Sequence, residues 1–408
     1  MTTVVIFCIT YGGVALGRIP GLMLDRTGIA LLGAIAMVAS GAVPLPEAIS
    51  AIDLPTILLL YALMVVSAQL RLGGFYTWVA LRSARLVGRP DLLLAAVMGL
   101  AALLSALLAN DIICLAFTPV LCATLLAAGR KPLPYLIGLA VASNIGSAAT
   151  IIGNPQNMLI GQVGRLDFGA FLLWCAPPSV LALVGAYFLI RRNYRETLLA
   201  RPTNPPTPHA AAWPAFNPWQ SGKGLIATGL LVLLFFTAIP RELAAITVAG
   251  VLLCSRRMHS RQILELVDWH LITLFCALFI VIHGIGSQGL PARLVETLAG
   301  YGIDPAAPLL LTGIATILSN LVSNVPAAML LIRFLDPGQP AQWYTLAVAS
   351  TFAGNLLVIG SIANLIVIEQ AHPFGVEITF REHARIGVPV TLLSLLLLLG
   401  WLACLGIG

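Results

Sequence analysis

The chain has 408 residues, of which 59% are hydrophobic and only 9% are charged, and its mean hydropathy is +0.97. Soluble domains carry about 25% charged residues, so this composition excludes a soluble enzyme and indicates a polytopic membrane protein. The net charge of +6 could suggest nucleic-acid binding, but the positions of the basic residues explain it as a topology signal, and we expect no nucleic-acid partner.

The first half contains four uninterrupted apolar segments that are predicted to cross the bilayer. They occupy residues 4–17, 28–43, 54–70 and 168–190. Residues 71–90 form a polar, arginine-bearing piece on the cytoplasmic side. The first segment has no basic region before it and no clear cleavage site, so we interpret it as a retained span and not as a signal peptide.

A hairpin and a broken helix complete the first half. The apolar block 91–128 is interrupted only by Asn110 and Asp111. We favour a re-entrant hairpin there over two full crossings, because a surface turn usually contains more polar residues. The apolar run 134–163 is interrupted near its middle by the sequence GNPQN. Glycine and proline leave backbone groups without helical partners, so this break must face protein or a water-filled cavity.

The second half repeats the first after a proline-rich stretch, 191–223, that we interpret as a cytoplasmic linker. Residues 26–53 align with 241–268 without a gap, GLAALLSALLAND aligns with GIATILSNLVSNV, and AVASNIGSAATIIGNPQNMLIG aligns with AVASTFAGNLLVIGSIANLIVI. Several blocks in the same order indicate an internal repeat. We predict repeats at 1–190 and 224–408, the second with its hairpin at 304–336 and its broken helix at 342–370.

Each repeat then has five spans and one hairpin, and because five is odd, the two repeats must have opposite orientations. The expected fold is an all-α polytopic membrane protein with two inverted-topology repeats, each holding a re-entrant hairpin and a broken helix. With both termini outside, all but four of the 22 Lys and Arg residues lie on the cytoplasmic side, as the positive-inside rule requires. The exceptions are Arg165, Arg241, Arg293 and Arg333.

Paired interrupted segments in two halves of a chain are the sequence pattern of a transporter binding site. Amides and helix N-termini at the two hairpin tips favour an anion or polar solute, with interhelical hydrogen bonding as the alternative. Side-chain and carbonyl oxygens at the breaks suit a hard cation such as Na⁺. The predicted substrate-binding residues are Asn110, Asp111, Ser323, Asn324, Asn154, Asn157, Ser361 and Asn364, and those predicted for the coupling ion are Asp111, Asn144, Ser147, Thr150, Gly153, Asn355 and Gly360.

Asp111 is the only acidic residue well inside an apolar block. A carboxylate at this depth is costly and indicates a function by default, and we interpret it as a carrier of a coupling proton. A helix cap formed by Asn110 or Asp111 is the structural alternative. The equivalent position in the second hairpin is Val325. Asp53 and Asp268 precede matching spans and are predicted to be helix N-caps.

Motifs of other chemistries do not occur in the sequence. It contains no Walker motif, no HExxH pair and no GxSxG elbow, so we expect neither an enzyme nor an ATP-driven pump, and no cofactor other than a bound coupling Na⁺. Cys114 is interpreted as a buried small hydrophobe and not as a ligand of a soft metalloid. Residues 381–385, which include His383, are interpreted as an interfacial anchor of the last span.

At these residues the chain resembles the ion transporter superfamily over nearly its whole length. LANDIICLAFTPV and GSIANLI are similar to the hairpin and the second break of arsenite permeases, which are grouped with NhaD-type Na⁺/H⁺ antiporters. ATIIGNPQN is more distantly similar to the first break of divalent anion/Na⁺ symporters, whose tips read Ser-Asn-Thr where this chain has Ala-Asn-Asp and Ser-Asn-Val. The resemblance implies an elevator-type mechanism and, from many symporter relatives, a homodimer.

We therefore expect a secondary active transporter of the cytoplasmic membrane that moves an inorganic oxyanion or a small carboxylate, coupled to H⁺ or Na⁺. An arsenite or antimonite efflux permease that exchanges for H⁺, and a Na⁺/H⁺ antiporter, are the alternatives within this class. Of the other classes, a channel is disfavoured by the repeat with two hairpins, and an intramembrane enzyme by the lack of a nucleophile–base or metal set. The expected partners are the anion, the coupling ion and membrane lipid.

Overall fold

The computed structural model describes residues 2–17, 21–200, 215–255 and 257–407, and every regular element in these ranges is helical. The proline-rich part of the predicted linker, 201–214, lies outside the described residues. So do Arg18, Arg201 and Arg256, which contribute to the predicted charge asymmetry.

The first half consists of ten helices in the order expected from the apolar segments. They are α1 (Thr2–Leu16), α2 (Arg26–Ala39), α3 (Leu45–Ala51), α4 (Leu54–Leu72), α5 (Phe75–Ala84), α6 (Pro90–Leu107), α7 (Asn110–Ala127), α8 (Leu133–Ser147), α9 (Pro155–Val163) and α10 (Phe168–Asn193). A 3₁₀ turn, Arg85–Gly88, joins α5 to α6, and a short helix, α11 (Arg195–Leu199), follows α10.

The second half has its own set of ten helices. They are α12 (Pro218–Leu234), α13 (Arg241–Leu253), α14 (Ser260–Leu264), α15 (Trp269–Ser287), α16 (Leu290–Gly300), α17 (Pro308–Val322), α18 (Asn324–Leu331), α19 (Pro340–Ala353), α20 (Ile362–Ala371) and α21 (Phe380–Cys404). Short 3₁₀ segments follow α18, α19 and α20 at Ile332–Phe334, Val358–Gly360 and His372–Phe374.

Helices α12 to α21 retrace α1 to α10 one for one within the described residues. The main packing pairs recur as well: α6 packs on α8 as α17 packs on α19, and α4 packs on α13 as α15 packs on α2. The two halves are thus interleaved and do not form separate lobes. The opposite orientation of the two repeats in the membrane stays a prediction.

Six described helices are long and apolar enough to cross a membrane, by length and composition: α4, α6, α7, α10, α15 and α21. Four of these are predicted spans, and the other two are the arms of the first hairpin. The remaining predicted spans are shorter helices or broken pairs. The N-caps predicted before α4 and α15 are confirmed, because Asp53 Oδ1 accepts from Thr56 N at 2.9 Å and Asp268 Oδ1 accepts from Leu271 N at 2.9 Å.

The two hairpins differ in the length of their arms. Each arm of the first, α6 and α7, has 18 residues. The second arm of the second hairpin, α18, has only 8 residues, or about 12 Å at 1.5 Å per residue. Because a hydrocarbon core is about 30 Å thick, α18 is too short to cross it.

The polar, arginine-bearing piece 71–90 contains helix α5, which packs on α4 and α7. Tyr76 is fully buried, and its hydroxyl lies 2.7 Å from Ser67 Oγ in α4. Arg82 lies over the Trp78 ring at 5.1 Å. The buried residues of α5 recur about one turn apart, as expected for a helix with one face against the protein.

Helices α6 and α8 are in close contact at Gly146. A Cβ at this position would overlap the Cα and the carbonyl oxygen of Ala102 in α6. Small residues allow membrane helices to pack at short distance in this way, and the contact holds the first broken helix against the first hairpin.

We expect Gly146→Ala to destabilise the folded protein by about 1–3 kcal/mol, the usual result of overpacking, and to lower its melting temperature in detergent. Gly99→Ala is the matched control, because Gly99 also lies in this helix pair, on α6, and a Cβ there would meet no atom within 4 Å. Equal melting temperatures for the two variants would contradict the close approach.

Candidate solute site between the broken helices

The first break is held by the same polar residues that interrupt the helix. Asn154 caps α9, since its Oδ1 accepts from Asn157 N at 2.9 Å. Asn157 Nδ2 donates to the carbonyls of Ser147 at 3.2 Å and Thr150 at 3.0 Å. These carbonyls belong to the end of α8 and the turn after it, where helical partners are missing. The side chain of Asn157 therefore supplies the hydrogen bonds that these carbonyls lack at the break.

The second break is built in the same way. Ser361 caps α20, since its Oγ accepts from Ala363 N at 3.2 Å. Asn364 Nδ2 donates to the carbonyls of Gly354 at 2.8 Å and Leu357 at 3.3 Å. In both breaks the asparagine reaches back 10 and 7 residues along the chain. The two asparagines aligned in sequence thus have equivalent contacts.

Asn144 of α8 joins the first broken helix to the second. Its Nδ2 donates to Asn355 Oδ1 at 2.8 Å and to Asn364 Oδ1 at 3.2 Å. Its Oδ1 accepts from Ser361 Oγ at 2.9 Å. All four residues are buried, so this amide connects the two breaks in the protein interior.

Thr351 of α19, at the position aligned with Asn144, makes the reciprocal contact. Its Oγ1 accepts from Asn154 Nδ2 and Gln156 Nε2, each at 3.2 Å, and lies 3.4 Å from Asn157 Oδ1. Each broken helix therefore places one polar side chain in the break of the other.

The tip of the first hairpin reaches this place from α7. Asn110 Nδ2 donates to Asn144 Oδ1 at 3.3 Å, and the carbonyl of Asn110 accepts from Ser143 Oγ at 3.2 Å. Asn110 is only 5% exposed. The hairpin tip is thus bonded to the first broken helix one turn before its break.

The tip of the second hairpin reaches the same region from α18. The Asn324 amide, with its nitrogen directed at the carbonyls of Ser350 and Gly360, donates to both at 3.2 Å and accepts from Gln156 Nε2 at 3.2 Å. The preceding residue, Ser323, has φ +76° and ψ 159°, a conformation that is essentially reserved for glycine and costs about 1–3 kcal/mol. Such strain concentrates at functional sites.

These contacts define an amide cluster, in which most of the predicted site residues come together. It consists of Asn110, Asn144, Asn154, Asn157, Asn324, Thr351, Asn355, Ser361 and Asn364. Ser147 borders it, donating to the Asn144 carbonyl at 2.8 Å and accepting from Asn154 Nδ2 at 2.9 Å.

Three other predicted residues, Thr150, Gly153 and Gly360, contribute to the shape of the breaks. The Thr150 hydroxyl donates to the carbonyl of Ala106, at the end of α6. A Cβ at Gly153 would overlap the Ser147 carbonyl, and one at Gly360 would lie 2.6 Å from Asn320 Oδ1. The two glycines therefore allow close approach within each break.

Asp111 is not part of the amide cluster. The N-cap of α7 is Ala109, with no side-chain cap, so the capping alternative for Asn110 and Asp111 was wrong. Asp111 instead lines a cavity of about 140 Å³ together with Arg71 and Asp268. The remaining lining residues include Leu60, Leu63 and Met64 of α4, Leu271 of α15, Met158 of α9 and Ile366 of α20. The cavity thus separates the first hairpin and the broken helices from α4 and α15.

Several contact residues escaped the sequence analysis. His383 is 3% exposed, and its Nε2 lies 3.1 Å from the Asn355 carbonyl, so its interpretation as an interfacial anchor was wrong. Gln156 and Asn320 were not selected, although both lie in the aligned blocks. Thr351 could have been found, since it aligns with Asn144; no sequence signal pointed to His383.

Comparisons with known proteins agree with this architecture. The family model "CitMHS: Citrate transporter" matches residues 5–353. The silicon efflux transporter LSI3 of rice, Oryza sativa subsp. japonica, is 29% identical over 92% of this chain and 91% of that protein. The inner membrane protein YbiR of Escherichia coli is 31% identical over 79% of this chain and 81% of that protein.

The crystal structure of the YdaH transporter of Alcanivorax borkumensis covers 100% of this chain and 97% of that one, with a TM-score of 0.55 at 18% identity. This likeness concerns the fold alone. The family match extends over most of the chain, and the family and the rice relative are named as transporters and not as enzymes. The chain therefore belongs to the CitMHS citrate transporter family of the ion transporter superfamily, as the resemblance predicted, and is a secondary transporter of the membrane.

Proposed function

We propose that this transporter moves a small oxyanion or oxyacid in exchange with, or together with, protons, and that the solute binds at the amide cluster. The observation that carries the proposal is the convergence of both breaks and both hairpin tips at one buried place. Amides and hydroxyls there offer donors and acceptors, as a polar solute requires in a site closed to water.

The charge of the cluster supports a small solute of low charge. None of the residues that form it is Lys or Arg, and burying an ion without a counter-charge is costly. A neutral or singly charged solute suits it better than a multiply charged one. Efflux of a metalloid oxyacid such as arsenite or antimonite in exchange for H⁺ is the second candidate, which the name of the rice relative, a silicon efflux transporter, favours.

The contacts at the breaks favour H⁺ over Na⁺ as the coupling ion. Oxygen ligands hold a hard cation, but the carbonyls of Ser147, Thr150, Gly354 and Leu357 already accept hydrogen bonds from asparagine amides. The Asp111 carboxylate makes no hydrogen bond within the part of the chain that the structure describes, and it faces a cavity. It is thus available to take up and release a proton.

The proposal includes an elevator-type movement in the cytoplasmic membrane, with both termini outside and the two repeats inverted. The hairpins and broken helices would move as one unit against α1 to α4 and α12 to α15. Support comes from the Asp111 cavity, which lies along this boundary. A homodimer, expected from the resemblance, completes the proposal.

We expect Asp111→Asn to reduce proton-driven flux to the level of protein-free liposomes, because the amide keeps the size of the side chain but cannot carry a proton. Expression and melting temperature should match the wild type, since the carboxylate makes no hydrogen bond within the described chain. The measurement is flux into proteoliposomes of arsenite, phosphate, sulfate, citrate and succinate under imposed H⁺ or Na⁺ gradients. Wild-type pH dependence in the variant would contradict the role of Asp111.

Removing the charge of Asp268 should shift the pH of half-maximal flux to lower values by about half a unit to one unit. A shift of this size corresponds to about 0.7–1.4 kcal/mol, the energy of two unit charges about 12–24 Å apart at an effective dielectric constant of about 20. Asp268 faces the same cavity as Asp111, and in Asp268→Asn the asparagine still caps α15.

Asp53→Asn is the matched control for this shift. Asp53 is the equivalent cap on α4, with the same 2.9 Å contact, and it lines other cavities that do not contain Asp111. The control should leave the pH profile unchanged. A similar shift in both variants would show that the caps, and not the charge near Asp111, determine the profile.

A further inference from the structure

The backbone carbonyls of the second break fix the orientation of every amide around Asn144. The two carbonyls that Asn364 contacts, those of Gly354 and Leu357, can only accept hydrogen bonds, so the nitrogen of Asn364 must face them. Its oxygen must then face Asn144, and Asn144 must present its own nitrogen there.

Once Asn144 is fixed, its two neighbours are fixed as well. The Asn144 nitrogen also faces Asn355, which must therefore present its oxygen, at 2.8 Å. The Asn144 oxygen accepts from Ser361 and faces Asn110, which must present its nitrogen, at 3.3 Å. Exchanging the amide oxygen and nitrogen of Asn110 would place its oxygen, an acceptor, against the Asn144 oxygen. The same exchange in Asn355 would place its nitrogen, a donor, against the Asn144 nitrogen.

Of the eleven buried side-chain atoms without a hydrogen-bond partner among the described residues, two belong to the amide cluster, and they are of opposite type. They are the oxygen of Asn110, an acceptor, and the nitrogen of Asn355, a donor. The residues are 5% and 0% exposed. A buried polar atom without a hydrogen bond is unfavourable by about 1–3 kcal/mol, and native proteins have few of them, each with a reason.

The second atom is also held in place from outside the cluster. His383 of α21 lies 3.1 Å from the Asn355 carbonyl through Nε2, and Gly387 allows α21 to approach this carbonyl closely. The backbone that carries Asn355 thus packs directly against α21.

We propose that Asn110 Oδ1 and Asn355 Nδ2 are the recognition pair for the solute, which must bring one O–H donor and one oxygen acceptor. This inference rests on the proposed function and specifies the solute class of the same site. It selects undissociated oxyacids, hydrogen-bearing oxyanions and hydroxycarboxylates. An oxyanion of similar shape that has lost its last O–H leaves Asn110 unpaired.

Two pairs of solutes that differ in an O–H group test the inference on the wild-type protein. Phosphate, which keeps a proton at neutral pH, is compared with sulfate, and malate with succinate. Flux into proteoliposomes should favour phosphate and malate by about tenfold or more, because one unpaired buried group is worth about 1–3 kcal/mol. Malate and succinate carry equal charge, whereas phosphate carries less charge than sulfate at neutral pH. Equal rates for malate and succinate would therefore overturn the inference, also where phosphate is favoured over sulfate, while leaving the proposed function intact. If neither arsenite nor any of these four solutes is transported under an H⁺ or a Na⁺ gradient, the inference and the proposed function are both wrong.

The variant Asn355→Asp tests the donor directly. It keeps the oxygen that accepts from Asn144 and replaces the unpaired nitrogen by oxygen, so two acceptors would meet the solute. We expect the apparent affinity for phosphate or malate, whichever the wild type moves faster, to fall by about tenfold or more. Wild-type affinity in this variant would overturn the assignment of Asn355.

Asn217→Asp provides the matched control. Asn217 caps α12, and its oxygen accepts from the backbone nitrogens of Trp219 and Gln220, each at 3.1 Å. In Asn217→Asp the side-chain nitrogen is likewise replaced by oxygen, while the oxygen that accepts these two hydrogen bonds is kept. Asn217 is exposed and does not belong to the amide cluster. The affinity of this variant should equal that of the wild type. An equal loss in both variants would assign the effect to the added charge and overturn the inference.

Discussion

The architecture depends on how two interrupted helices satisfy their backbone carbonyls where water is scarce. An unpaired carbonyl in hydrocarbon costs several kcal/mol, and each break exposes several. Asn157 and Asn364 meet this requirement by reaching back to two carbonyls apiece. Because a carbonyl can only accept, this contact also determines which end of each amide faces the interior. The carbonyls of the breaks thus determine which atoms of the neighbouring amides donate hydrogen bonds and which accept them.

The repeat supplies the frame, and the differences between its halves supply the chemistry. The capping residues and the asparagines of the breaks are equivalent, and so are the asparagines that begin α7 and α18. Among the places where the halves diverge, Thr351 stands where the first half has Asn144, Asn355 where it has Ala148, and Val325 where it has Asp111. Asn144 and Asp111 occur only in the first half. The site is therefore asymmetric, although the helices that form it are related by the repeat.

The sequence was most informative where polar residues interrupt apolar runs. Both breaks, both hairpin tips and the caps Asp53 and Asp268 could be located in this way, because few physical roles suit such residues at depth. Contacts between the halves were harder to predict. His383 lies 28 residues from Asn355 in sequence, and only the packing of α21 brings them together.

The sequence also could not predict that Asp111 faces away from the amide cluster, and this placement has a consequence for coupling. Asn110 and Asp111 are consecutive in the first turn of α7, and successive side chains on an α-helix point about 100° apart, at 3.6 residues per turn. One therefore enters the amide cluster while the other faces the cavity beside Arg71 and Asp268. The interruption of the apolar block by Asn110 and Asp111 did not indicate which of the two side chains enters the cluster. The same turn of α7 carries both groups, so on the proposed mechanism a solute that engages Asn110 acts on the turn that also positions Asp111. On the proposed mechanism, the coupling of solute and proton thus requires no longer pathway than one peptide bond.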